Sequence, residues 1–109
     1  MNLQLLEEKT NTLTSIRDIR WYGERHSIII QGRIIKLTAT EYQLLFPLRQ
    51  GMPVTYAELA LAVYDCPLDE KVRLMMDKHV DRMRAKLRGM GLYIYCVLNY
   101  GYVLLPEIW

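Results

Sequence analysis

At 109 residues, with 51% apolar composition and a formal net charge of +2, the chain is sized for one domain whose core needs no covalent staples. Half-apolar composition excludes a disordered tail. No apolar run approaches the roughly 20 residues needed to cross a bilayer, and the start Met1-Asn2-Leu3-Gln4-Leu5-Leu6-Glu7-Glu8 lacks the basic and apolar regions of a signal peptide.

Residues 1–12 carry a Leu-rich patch without periodicity and read as a leader or linker remnant, leaving 13–109 as the domain. From 16 to 37 the pattern is β-like: 16–22, 26–31 and 33–37 are rich in Ile and bounded by Gly23 and Gly32. Gln31-Gly32 sits between two such runs and predicts a tight hairpin, because Gly accepts positive φ. A small antiparallel sheet is expected.

Thr38-Ala39-Thr40-Glu41 is a capping box that starts a helix, with Tyr42, Leu44, Leu45, Phe46 and Leu48 as its buried face. Pro47 removes a backbone donor and predicts an early end or kink, and Gly51 is the stop. Thr55-Tyr56-Ala57-Glu58 is a second capping box. It opens a helix with Leu59, Ala62 and Val63 on its apolar side, ended by Asp65-Cys66-Pro67. A short acidic loop with Asp69 and Glu70 follows.

The third helix, about 73–88, is the most informative stretch. Met76, Val80, Met83 and Leu87 recur at i, i+4, i+7 and i+11, one apolar stripe. Seven of the chain's 14 Lys and Arg fall between 71 and 88, against two acids, Asp77 and Asp81. Lys78 and Arg82 lie one turn apart, away from the stripe, while Arg84, Lys86 and Arg88 flank it. Charge alone leaves two readings open: a helix meeting a nucleic-acid backbone, or long cations solvating an exposed face. Gly89 and Gly91 end the helix. The runs 93–98 and 102–105 around Asn99-Tyr100-Gly101 then form a hairpin.

Sheet, helix, helix, basic helix and hairpin is an α+β order, the plan of a winged helix-turn-helix. Cys66 and Cys96 have no metal-like spacing and read as free thiols in a reducing cytoplasm. The chain offers no Ser, His and acid cluster, no metal spacing and no Gly-rich phosphate loop. Neither an enzyme nor a cofactor follows from the residues.

Five segments together resemble the DNA-binding effector domain of OmpR/PhoB-type response regulators. They are Gly32; Leu37-Thr38-x-x-Glu41-Tyr42-x-Leu44-Leu45-x-x-Leu48; Val54-Thr55-Tyr56-x-Glu58-Leu59; Asp77-x-His79-Val80-x-x-Met83-Arg84-x-Lys86-Leu87; and Gly101-Tyr102. The resemblance covers about 16 to 105 and implies an N-terminal four-stranded sheet, three helices and a C-terminal wing. These 109 residues leave no room for the roughly 120-residue doubly wound receiver domain of such regulators.

The resemblance further implies a sequence-specific, double-stranded DNA-binding transcription regulator whose third helix enters the major groove. Asp77, Lys78 and Arg82 would face base edges. Arg73, placed just before the helix, would meet phosphates with His79, Arg84, Arg88 and Tyr102, as would Thr55 and Tyr56 at the start of the second helix. The loop with Asp65, Asp69 and Glu70 corresponds to the one that contacts RNA polymerase in relatives. A homodimer on DNA follows by analogy.

The residues keep other roles open. Asp77 fits an early-turn helix charge, His79 a satisfied surface histidine, and Arg84 and Lys86 a cover for apolar surface or bridges to acids. The chain also departs from the family. Its wing has no cation from Tyr93 to Leu105, where relatives carry basic residues, and Leu98 replaces an Arg. Weaker or shape-restricted DNA binding is expected. A rival reading is a winged-helix protein-interaction module, favoured by the apolar wing and the tail Pro106-Glu107-Ile108-Trp109.

Overall fold

The computed structural model describes residues 15–107. The expected leader, and Ile108 and Trp109 of the tail, lie outside the described residues.

The β-like run at 16–22 is only partly a strand. Ser15 accepts from Arg17 N–H and caps a 3-10 turn, Ile16–Asp18, before strand β1 (Arg20–Tyr22) begins. The next strands, β2 (Ser27–Ile30) and β3 (Arg33–Lys36), are joined by Gln31 and Gly32, both at positive φ (52° and 75°). Two successive positive-φ residues make the tight turn that matches strand twist. The first sheet has order β1-β2-β3, three antiparallel strands among the described residues, where the resemblance implies four. Strand alternation sends Ile28 and Ile30 into the core and leaves Ile34 exposed on the outer face.

Helix α1 (Ala39–Leu45) carries the expected reciprocal cap. Thr38 Oγ1 accepts from Glu41 N–H at 3.1 Å, and Glu41 Oε1 accepts from Thr38 N–H at 2.8 Å. Pro47 ends it as expected: the chain tightens into a 3-10 turn, Phe46–Leu48. Phe46 is not on the buried face. It is partly exposed, with its ring stacked on Tyr42 and edge-on to Trp21.

A short strand, β4 (Val54–Thr55), leads into α2 (Tyr56–Leu59), which widens into a π turn over Ala60–Tyr64. Its cap is only half a box. Thr55 Oγ1 accepts from Glu58 N–H at 3.1 Å, but Glu58 reaches the Thr55 hydroxyl and not its N–H. Tyr56, Leu59 and Ala60 are buried and Val63 packs beside them. Ala62, expected inside, is exposed, because the buried set fixes a helical phase that turns it outward.

Helix α3 (Glu70–Leu87) starts earlier than periodicity indicated. Asp69 is its N-cap, accepting from Val72 N–H at 2.7 Å, and Glu70 sits in the first turn, where the helix dipole favours an acid. Arg73 therefore lies within the helix, not before it. The stripe Met76, Val80, Met83 and Leu87 is fully buried, extended by Val72.

The chain closes with the hairpin β5 (Leu92–Val97) and β6 (Gly101–Pro106), which joins β4 in a second sheet of order β4-β6-β5. Gly101 pairs with Thr55, and a Cβ on Gly101 would stand 1.8 Å from Val54 O, so only glycine permits this strand approach. Alternate wing residues Leu92 and Ile94, with Leu104 opposite Ile94, close the core, while Leu98 is 84% exposed.

Candidate nucleic-acid interface

With its apolar stripe buried, α3 presents the opposite surface outward. Residues two positions from Met76 lie about 200° around a helix of 3.6 residues per turn. Leu74 and Lys78 thus occupy the outer face, with Lys71 and Arg82 one turn beyond them; all four are exposed. Among the described residues, the side chains of Lys71, Lys78 and Arg82 make no hydrogen bond or ion pair. This is a strip of uncommitted cations on a rigid helix. Arg88, exposed as well, is the C-cap at the far end, its N–H donating to Ala85 O at 3.4 Å.

The flank of α3 that faces the wing is built differently. Tyr102, buried on β6, donates its hydroxyl hydrogen bond to Asp77 Oδ1. Arg73 Nε donates to the same oxygen at 3.4 Å. The Arg73 guanidinium also lies 3.6 Å from the centre of the Tyr56 ring, a close cation–π contact. Tyr56 meets Tyr102 edge-on at 5.3 Å, and its hydroxyl shares a 3.0 Å hydrogen bond with Cys96 Sγ. Desolvation, followed by the Cys96 contact, pushes the Tyr56 hydroxyl up to about 12. Desolvation and then the Asp77 carboxylate raise Tyr102 as well. Both phenols therefore stay neutral around pH 7 and act as hydrogen-bonding groups.

This network gives several of the expected contact residues partners within the domain. Asp77, expected at a base edge, has its inner oxygen engaged by Tyr102 and Arg73. Tyr102, expected at a phosphate, is buried with its hydroxyl committed. Tyr56 is buried too, and its N–H donates to Tyr100 O at 2.9 Å. The N–H of Glu58 is taken by Thr55, whose hydroxyl is engaged by Glu58. The start of α2 is thus partly capped from within, with the N–H groups of Tyr56 and Glu58 both taken.

Arg84 is also turned inward. Its Nε donates to Ile94 O of β5 at 2.9 Å, its Nη1 to Asp81 at 3.0 Å, and the guanidinium sits 4.9 Å from the Tyr93 ring centre. It fastens the helix to the wing, the role left open beside phosphate contact. Lys86 donates to Glu41 Oε1 at 2.5 Å, bridging α3 to α1. Burial pushes the Glu41 carboxyl up, but the Lys86 and Thr38 hydrogen bonds outweigh it, and its pKa lies below the ordinary value.

His79 is half-buried, its ring centre 6.3 Å from that of Tyr64, and its Nδ1 is enclosed without a partner. In the connecting loop, Asp65 adopts the left-handed conformation that ends α2, and Asp69 and Glu70 serve the start of α3. Cys66 and Cys96 are free thiols.

Of the sequence-derived candidates, the fold brings Lys78 and Arg82 together on one open face. It separates them from Arg73, Asp77, Tyr56 and Tyr102, which brace α3 against α2 and β6, with the Arg73 and Asp77 side chains still 36% and 41% exposed. Lys71 and Leu74 on the open face were not singled out as contacts. Their signal was their spacing of seven and four from Lys78, on the side away from the stripe.

Comparison with protein-family models and with curated proteins finds no match. Solved structures do match. The DNA-binding domain of CpxR from E. coli is similar at TM-score 0.69 and 23% identity, over 84% of this chain and 93% of that one. The DNA-binding domain of the response regulator AdeR, solved in complex with an intercistronic region, is similar at TM-score 0.63 and 27% identity, over 83% and 95%. That of Bacillus subtilis CssR gives 0.64 and 24%, over 80% and 99%. With the three helices and two antiparallel sheets described above, these likenesses give the chain the winged helix-turn-helix fold that the DNA-binding domains of those response regulators share.

Proposed function

We propose that this domain is a sequence-specific, double-stranded DNA-binding transcription regulator that lays α3 in the major groove. The observation that carries this reading is the outer face of α3, where Lys71, Lys78 and Arg82 stand exposed and unpaired while the apolar stripe behind them is wholly buried. Arg82 has the planar fork to donate two hydrogen bonds to guanine O6 and N7, and Lys78 reaches the same acceptors singly. Lys71 and Arg88, towards the two ends of the helix, suit phosphates. The AdeR domain bound to an intercistronic region supports the reading.

The wing contributes by bracing the helix through Tyr102 and Arg84 instead of by charge. No step of this function requires catalysis. By analogy with the family, a homodimer on DNA and contact with RNA polymerase through the Asp65 loop belong to the same proposal, as does a cytoplasmic location.

Selection from a randomised duplex pool, then titration of the winner at two salt concentrations, tests it. With the two phosphates assigned to Lys71 and Arg88 neutralised, affinity should fall roughly 12-fold between 50 and 200 mM salt. Absence of any enriched motif would overturn the proposal. It would favour the second reading, a protein-interaction module, to which the exposed Leu98 and Tyr100 at the uncharged wing tip point.

A further inference from the structure

Leu74 is the anomaly of the outer face. It is 57% exposed, three residues after Lys71 and four before Lys78, and so lies between two free cations. It does no work in the core, whose stripe lies on the other side of the helix. The neighbouring Met75 is also 37% exposed. An apolar side chain between two uncommitted cations is complementary to a partner that is polyanionic overall and apolar at one point. The floor of the major groove has that character: phosphates flank it, and the C5-methyl of thymine is the apolar group on its edge. The first turns of a recognition helix are also the part that reaches base edges, and Leu74 is the fifth residue of α3.

We infer that Leu74 is a specificity-determining contact that reads a thymine C5-methyl in the major groove, held there by Lys71 and Lys78 on either side. This rests on the DNA-binding reading above and adds to it an apolar reader. It gives the domain a means of selecting T·A pairs that owes nothing to the wing.

Replacing thymine by deoxyuridine removes the methyl and leaves every hydrogen-bonding edge intact, so a substitution scan isolates the contact. The selected duplex is made with each thymine replaced in turn, and binding is measured for the wild-type chain and for Leu74→Ala. Because Leu74 is exposed, the variant should melt as the wild type does. At one or two positions, deoxyuridine should weaken wild-type binding about fourfold, the worth of one buried methyl, and leave Leu74→Ala unchanged. Equal sensitivity of both proteins at every thymine overturns the inference while leaving DNA binding intact. So does a Leu74→Ala variant that binds the selected duplex as tightly as wild type, which would assign the residue to a protein surface. Failure of the wild-type chain to select any duplex overturns both readings.

Discussion

Replacing Lys86 by Met removes the ammonium from a carboxylate that has almost no access to water. Glu41 is 1% exposed and accepts from Lys86 Nζ at 2.5 Å and from Thr38 N–H at 2.8 Å. Breaking a buried pair by deleting one partner costs about 3–5 kcal/mol, chiefly because a charge is stranded. Here the Thr38 N–H survives, and the Lys86 side chain is 36% exposed, so water can replace part of what is lost. A cost of about 2–3 kcal/mol is expected, which lowers the urea midpoint by roughly 2 M for a domain of this size.

The pH dependence follows from the direction of the shift. In the wild-type chain the Glu41 pKa lies below its ordinary value, so its contribution is present above that value and lost as pH falls through the folded one. In Lys86→Met, desolvation acts with less opposition, the carboxyl protonates more readily, and the gap between variant and wild type should narrow on acidification. Adding Glu41→Gln to Lys86→Met should recover part of the loss. Urea unfolding from pH 7 to pH 4 measures all three effects. A Lys86→Met variant within about 0.5 kcal/mol of wild type across that range would refute the reasoning.

Other consequences are as direct. Met83→Ala deletes a fully buried side chain of the stripe and should cost about 2–5 kcal/mol in chemical unfolding. Gly101→Ala drives a methyl into Val54 O and the Thr55 backbone, so it should destabilise by about 3 kcal/mol or leave the chain unfolded by circular dichroism. Arg84→Ala removes charge-assisted bonds to Ile94 O and Asp81 and should cost about 1.5–3 kcal/mol of thermal stability with or without DNA present. Absorbance titration at alkaline pH should find Tyr56 still protonated at pH 11, and stability should decline as pH rises from 10 through about 12, because a raised folded pKa favours folding only below it.

What was legible in the chain was local. The Thr38 cap, the Gln31-Gly32 turn, the Pro47 break and the buried stripe each depend on residues within a few positions of one another, where periodicity and backbone chemistry speak directly. The start of α3 was legible in principle, since Asp69 followed by Glu70 is an N-cap signal, but the acids resemble a loop when the apolar stripe is taken as the only guide. The brace was not legible. Tyr102 and Asp77 are 25 residues apart, and Lys86 and Glu41 45 apart, so only the packing of β6 and α1 against α3 decides which charges are spent inside and which remain for a partner. Arg73 and Arg84 were therefore read as phosphate contacts and Asp77 as a base contact beside Lys78 and Arg82, whereas the fold pairs all three with groups of the helix and the wing.

The most direct test of the central claim is the affinity of Arg82→Ala for the selected duplex and for a scrambled duplex of equal length and composition, at one salt concentration. If the outer face of α3 reads bases, the loss on the selected duplex should be about 1–3 kcal/mol, with a much smaller loss on the scrambled one. An equal loss on both would contradict the account and reduce Arg82 to a phosphate contact.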